Sequence, residues 1–125
     1  MLEPMANLDE VLKRVGDVAD YSGIPATDAN TKGLFNQRPL HVVAVWGDCE
    51  AIEILVRAGA RINEQGEHGF TPLMEATAHG HVAACKLLVE LGASPIRNDD
   101  GQLPSEYAQI GGNQELGSWL SAHGF

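Results

Sequence analysis

The chain is short of positive charge, cysteine and long apolar runs. Lys and Arg number 8 against 17 Asp and Glu, a formal net charge of −9. Residues 62–125 hold only two basic residues, Lys86 and Arg97, against eight acidic ones. Such a field repels phosphate backbones and favours basic partners, although acidity also serves solubility alone. No nucleic-acid partner is expected. The two cysteines, Cys49 and Cys85, are far apart in sequence and have no C-x-x-C neighbour, so neither a disulfide framework nor a zinc site is signalled. No apolar run approaches the roughly 20 residues that a membrane helix needs. The opening Met1-Leu2-Glu3-Pro4-Met5 lacks the basic stretch and apolar core of a secretion signal, and Asp9, Glu10 and Asp17 argue against a transit peptide. A cytoplasmic protein with reduced thiols is the expectation. With 125 residues, 44% apolar and 20% charged, one domain is expected, 1–125.

An internal repeat is present. Arg38-Pro39-Leu40-His41 aligns with Thr71-Pro72-Leu73-Met74, the prolines 33 residues apart. Gly47 then aligns with Gly80, Leu55 with Leu88, and Gly59-Ala60 with Gly92-Ala93. A third copy begins at Leu103-Pro104-Ser105-Glu106, one residue short of the same spacing, and carries Gly112 and Gly124. Each proline suits a first helical turn, where its missing N–H is no loss, and Thr71 can cap that turn. Gly80 and Gly92 stand where two successive helices end in left-handed backbone. Val82, Cys85, Leu88 and Val89 fall on one helical stripe, as do Cys49, Ile52, Leu55 and Val56. A helix pair this small cannot bury its apolar face alone, but stacked neighbours bury it together.

The 33-residue period with a T-P-L-H-x-A-like start resembles the ankyrin-repeat family over residues 26–125. The resemblance implies an all-α fold: a solenoid of stacked helix-turn-helix repeats joined by hairpin loops. The repeats are read as 38–70, 71–102 and 103–125, preceded by an incomplete repeat end and hairpin at 26–37. Asp28-Ala29-Asn30 is similar to the family's D-V-N ending. Residues 7–20 are read as one amphipathic capping helix: Asn7 and Glu10 resemble a capping box, and Leu8, Val11, Leu12, Val15, Val18 and Ala19 follow at helical spacing. Tyr21-Ser22-Gly23-Ile24-Pro25 breaks it. The family's Thr–His pair is split here. The first repeat keeps His41 but has Arg38, the second keeps Thr71 but has Met74, and the third has neither. The third repeat is expected to be the weakest. The opening Met1 and the final helix ending at Gly124 lead to the expectation of a complete protein.

Candidate chemistry is sparse. His79-Gly80-His81 reads as a turn rather than a metal pair. His41 is expected to bond to nearby backbone, as the resemblance implies, and His68 to sit at a hairpin tip. Cys49 and Cys85 read as core thiols. Gly111-Gly112 lacks the Lys-Ser/Thr of a phosphate loop. Asp99-Asp100 has nothing to desolvate it. No nucleophile–base pair is nominated, and no enzyme activity, cofactor or metal is expected.

The resemblance implies a binding scaffold whose concave face is lined by hairpin tips and by the ends of first helices. Carried onto this chain, the helix positions are Val45, Trp46, Ala78 and His79, with Ile110 and Gly111 in the third repeat. The hairpin positions are Lys32, Leu34, Phe35 and Gln37, then Gln65, Glu67, His68 and Phe70, then Arg97, Asp99, Asp100 and Gln102. Phe35, Trp46 and Phe70 are aromatic where the fold does not require it, and exposed aromatics are favoured anchors. Glu75 replaces the usual apolar residue of a first helix. An apolar centre with an acidic rim suits one basic, folded protein partner. Two roles fit: an inhibitor or immunity-type protein, and a non-inhibitory adaptor or assembly subunit. The free chain is expected to be a monomer.

Overall fold

The computed structural model describes residues 7–125; the opening Met1–Met5, read above for a leader, lies outside them. The described residues form seven α-helices and no strand. These are α1 (Leu8–Gly16), α2 (Pro39–Trp46), α3 (Cys49–Arg57), α4 (Pro72–Ala78), α5 (Val82–Glu90), α6 (Pro104–Ile110) and α7 (Gln114–Ala122). The helices α2, α4 and α6 each begin at the repeat proline and pack on one another in sequence. The helices α1, α3 and α5 form a second row, with α7 lying against α6. Thus each helix pair closes its apolar face on the next.

Local chemistry sets the helix ends. Asn7 accepts a hydrogen bond from the Glu10 N–H at 3.0 Å, and Asp48 caps α3 by accepting from Ala51 N–H at 3.0 Å. Thr71 caps α4 through Met74 N–H at 3.3 Å. Gly47 leaves α2 at a φ of 67°, a left-handed conformation that suits glycine. Leu40, Val43, Ile52, Leu55, Leu73, Cys85, Leu88, Leu116 and Leu120 are buried. Val82 departs from the expected stripe: it opens α5 and stays 41% exposed.

The capping helix is shorter than expected. It ends at Gly16 instead of running from 7 to 20, because Val18 takes extended backbone (φ −85°, ψ 158°) and Ala19–Tyr21 form a separate 3-10 turn. Tyr21 is not a mere breaker. Its ring is buried beneath the first hairpin, and its hydroxyl donates to the Thr31 and Gln37 carbonyls. Burial pushes that hydroxyl's pKa well above its usual value. Gly33 is needed beside it, since a Cβ there would meet the Tyr21 ring at 2.9 Å.

Asparagines at equal register tie neighbouring repeats along the chain. Asn30 Oδ1 accepts from Arg61 N–H at 2.8 Å and its amide donates to the Gly59 carbonyl. One repeat later, Asn63 Oδ1 accepts from Ser94 N–H at 2.9 Å.

Candidate functional site

Three hairpins stand at the same register. Each is closed by an N–H donating to a carbonyl four residues on: Gly33 to Gln37 at 2.8 Å, Gly66 to Phe70 at 2.8 Å, and Asn98 to Gln102 at 3.0 Å. In the first two, the tip is a tight turn with both central residues at positive φ. These are Phe35 (56°) and Asn36 (63°), then His68 (60°) and Gly69 (72°). Such turns normally take Asn-Gly. A phenylalanine in this region costs roughly 1–2 kcal/mol, and this one is 63% exposed beside Leu34 at 44%. Strain at an exposed aromatic marks a site that folding alone does not account for. The third hairpin, one residue shorter in spacing, avoids the strain. Only Gly101 has positive φ there, and Asn98 Oδ1 accepts from the Asp100 and Gln102 N–H groups at 3.0 Å each.

The sequence-derived contact residues separate into two groups. Leu34, Phe35, Glu67, His68, Ala78, His79, Asp99 and Asp100 are exposed along the hairpins and first-helix ends. Others make their contacts within the protein, although Gln65 stays exposed while doing so. Gln37 is only 4% exposed and its Oε1 accepts from Glu67 N–H at 3.3 Å, so it is a joint between hairpins and not a free contact. Gln65 donates to the Gly69 carbonyl at 2.9 Å and the Arg97 carbonyl at 3.0 Å, and Gln102 accepts from the Asn98 amide at 2.9 Å. Phe70 is half-buried, edge-on to Tyr107 with ring centroids 5.2 Å apart. Val45 is half-buried. Trp46 is half-buried too, with the Arg14 guanidinium 4.7 Å from its ring centroid. Arg14 in turn pairs with Asp48 at 3.1 Å, so the capping helix partly covers that indole.

Among the described residues Ile110, at 72% exposure, is the most open large apolar residue, at the end of α6. Glu75 is half-buried among His79, Glu67, Asp20 and His68. Burial pushes its carboxyl pKa up; His79 opposes this and the two acids add to it. The sequence reading did not foresee Arg14 over Trp46 or Tyr107 against Phe70. The one hint for Tyr107 is an aromatic at the register of Val42 and Glu75.

Two histidines face inward. His41 is fully buried. Its Nδ1 accepts from Arg38 N–H at 3.0 Å, and its Nε2–H is shared between the Glu64 carbonyl (2.9 Å) and the Phe70 carbonyl (3.0 Å). That pattern requires the neutral ring, and burial holds its pKa below the usual value. His81 Nε2 donates to the Val45 carbonyl at 2.8 Å. Cys85 is buried and its thiol pKa is pushed up to about 11, first by burial, which is the opposite of nucleophile activation. No group of three or more His, Cys, Asp or Glu side chains that could hold a metal lies among the described residues. No helix of the described residues is long and apolar enough to cross a membrane.

Comparison with known proteins agrees with this architecture. A family model described as ankyrin repeats (3 copies) matches residues 16–99 and again 40–124. The human protein phosphatase 1 regulatory subunit 27 is 40% identical over 68 residues, which cover 54% of this chain and 44% of that protein. The Saccharomyces cerevisiae protein named "Probable 26S proteasome regulatory subunit p28" is 47% identical over 60 residues, 47% of this chain and 26% of that one. The human ankyrin repeat domain-containing protein SOWAHB is 33% identical over 91 residues, 66% of this chain and 12% of its own. The matched segments therefore span less than half of each of these relatives. Repeat spacing, stacked helix pairs and the family match agree: the chain belongs to the ankyrin-repeat family, whose repeats are protein-interaction modules.

Proposed function

We propose that this chain binds one basic, folded protein through its hairpin tips and the adjoining first-helix ends, as an inhibitor or immunity-type protein. The observation that carries the reading is Phe35: a bulky, 63% exposed side chain held at φ 56°, where Asn or Gly is the unstrained choice. Leu34 extends its apolar surface, and Glu67, Asp99 and Asp100 supply an acidic rim along the neighbouring tips. Apolar anchors inside a charged rim combine contact energy with electrostatic steering.

Affinity capture from lysate with the wild-type chain, Phe35→Ala and the Asp99→Asn/Asp100→Asn pair tests it, at low and high salt. One basic protein held by wild type, weakened by salt and lost with Phe35→Ala, is the expected result. Retention of every partner by both variants would move the binding surface elsewhere.

A non-inhibitory adaptor is the second reading. It draws support from a cleft between α5 and α7 lined by Val82, Lys86 and Trp119 and set in the other helix row, with the Lys86 ammonium 5.4 Å from the Trp119 ring centroid. Two relatives are also named regulatory subunits. Val82→Glu separates the readings: an adaptor loses one partner and keeps another, whereas an inhibitor keeps its single target.

A further inference from the structure

The joints between complete repeats follow one plan with one omission. Gly47 and Gly80 hold the same register, each at a turn between the two helices of a repeat. The residue that opens the next repeat's second helix is His81 for the first joint and Asn113 for the second. His81 crosses the joint. A Cβ placed on Gly47 would lie 2.5 Å from its ring Cγ, so the imidazole occupies the space over that glycine. Its Nε2 donates to the Val45 carbonyl at 2.8 Å, satisfying an oxygen at a helix end that has no partner within its own helix.

Asn113 does not cross. Its Oδ1 turns back to accept from Leu116 N–H at 3.2 Å, capping α7. A Cβ on Gly80 would meet nothing within 4 Å. The Ala78 carbonyl, in the register of Val45, receives no hydrogen bond from the described residues. An open cleft of about 270 Å³ results, lined by Ala78, His79, Gly80, Tyr107, Gly111 and Asn113 among others. It lies just below the roughly 300–1,000 Å³ of sites for drug-sized ligands and has room for an imidazole ring.

We propose that this cleft is a socket for a histidine imidazole presented by the protein partner. The ring docks as His81 docks at the first joint, over Gly80 and between His79 and Tyr107, donating its N–H to the Ala78 carbonyl. The inference rests on the protein-binding reading for the source of the imidazole; the internal copy at Gly47 supplies the geometry. The charge balance of residues 62–125, two basic against eight acidic, also favours a ring that carries a proton. Ala78, His79 and Gly111 stand at first-helix ends, so the socket adjoins the hairpin-tip surface and deepens it with a directional contact.

The test is titration of the isotope-labelled chain with methylimidazole, the side chain alone, followed by backbone amide shifts. Saturable shifts at Gly80, Gly111 and Asn113 are expected in wild type. They should be lost in Asn113→His, which brings its own imidazole to the cleft. Because that change also removes the cap of α7, Gly111→Leu serves as a second block: its φ of −74° accepts a side chain. Absence of saturable shifts in wild type, their persistence in both variants, or an equal response to methylguanidinium would overturn the assignment. Failure here leaves binding at Phe35 intact, since that is read separately by capture of the whole partner.

Discussion

Two imidazoles tie the joint between the first and second complete repeats: His41 bonds the Glu64 and Phe70 carbonyls of the hairpin that leads into the second repeat, and His81 reaches across to the Val45 carbonyl. At the joint between the second and third, the same registers carry Met74 and Asn113, and no imidazole crosses. That hairpin is held by Gln65 on the Arg97 carbonyl at 3.0 Å, Asp99 N–H on the His68 carbonyl at 3.0 Å, and the edge of Phe70 against Tyr107. In a linear array, stability is a sum of repeat and neighbour terms. Helices stack at both joints, more extensively at the first, and the polar ties differ in the same sense; the joint with fewer ties is also the one with the open cleft.

The largest expected effect breaks the tight joint. His41→Ala leaves the Arg38 N–H and two carbonyls without their ring partner and should cost about 3 kcal/mol in urea unfolding. A loss below about 1 kcal/mol would mean that stacking alone sets the joint. Next comes Gly66→Ala, whose methyl would collide with Gln37 Oε1. Gly66 has a negative φ of −97°, and a loss of about 2 kcal/mol is expected.

The pH dependence sharpens the same comparison. His41 has a folded pKa below its ordinary 6.5, so the unfolded chain takes up the proton first. Its contribution is fully present above pH 6.5 and is lost as pH falls below that value toward the folded pKa. Unfolding free energies measured across this window should fall in wild type and flatten in His41→Ala. Glu75, with its folded pKa raised above 4.5, works in the opposite direction.

Smaller effects come from transplanting features between the joints. Met74→His supplies the missing imidazole facing the third hairpin and should gain about 1 kcal/mol, measured as a higher unfolding midpoint. Phe35→Asn relieves the strained tip and should gain about 0.5–1 kcal/mol, while weakening partner binding.

The fold was legible because its punctuation is local. Pro39, Pro72 and Pro104 mark helix starts, and Gly47 and Gly80 mark helix ends, at nearly constant spacing. The end of α1 was misread because Val18 and Ala19 continue the apolar period past Gly16, where the backbone has already left the helix. Tyr21 was opaque for another reason: its partners, Thr31 and Gln37, lie across a loop that no periodicity describes. Register placed Phe35 on the first hairpin, and the structure leaves it exposed there. It also nominated Gln37, Gln65 and Gln102, whose amides are spent on hairpin ties. For Gln37 and Gln65 those ties reach some 30 residues along the chain, where one repeat's sequence carries no sign of its neighbour's needs. The socket at Gly80 was hidden for the same reason, since it arises from Asn113 standing where the previous repeat has His81.

The measurement closest to the central claim is the affinity of Phe35→Asn for the captured partner, relative to wild type. If the strained tip is held for binding, the variant binds more weakly although it is no less stable. Unchanged affinity would show that Phe35 is not the anchor, and that the face through which this protein grips its partner lies elsewhere.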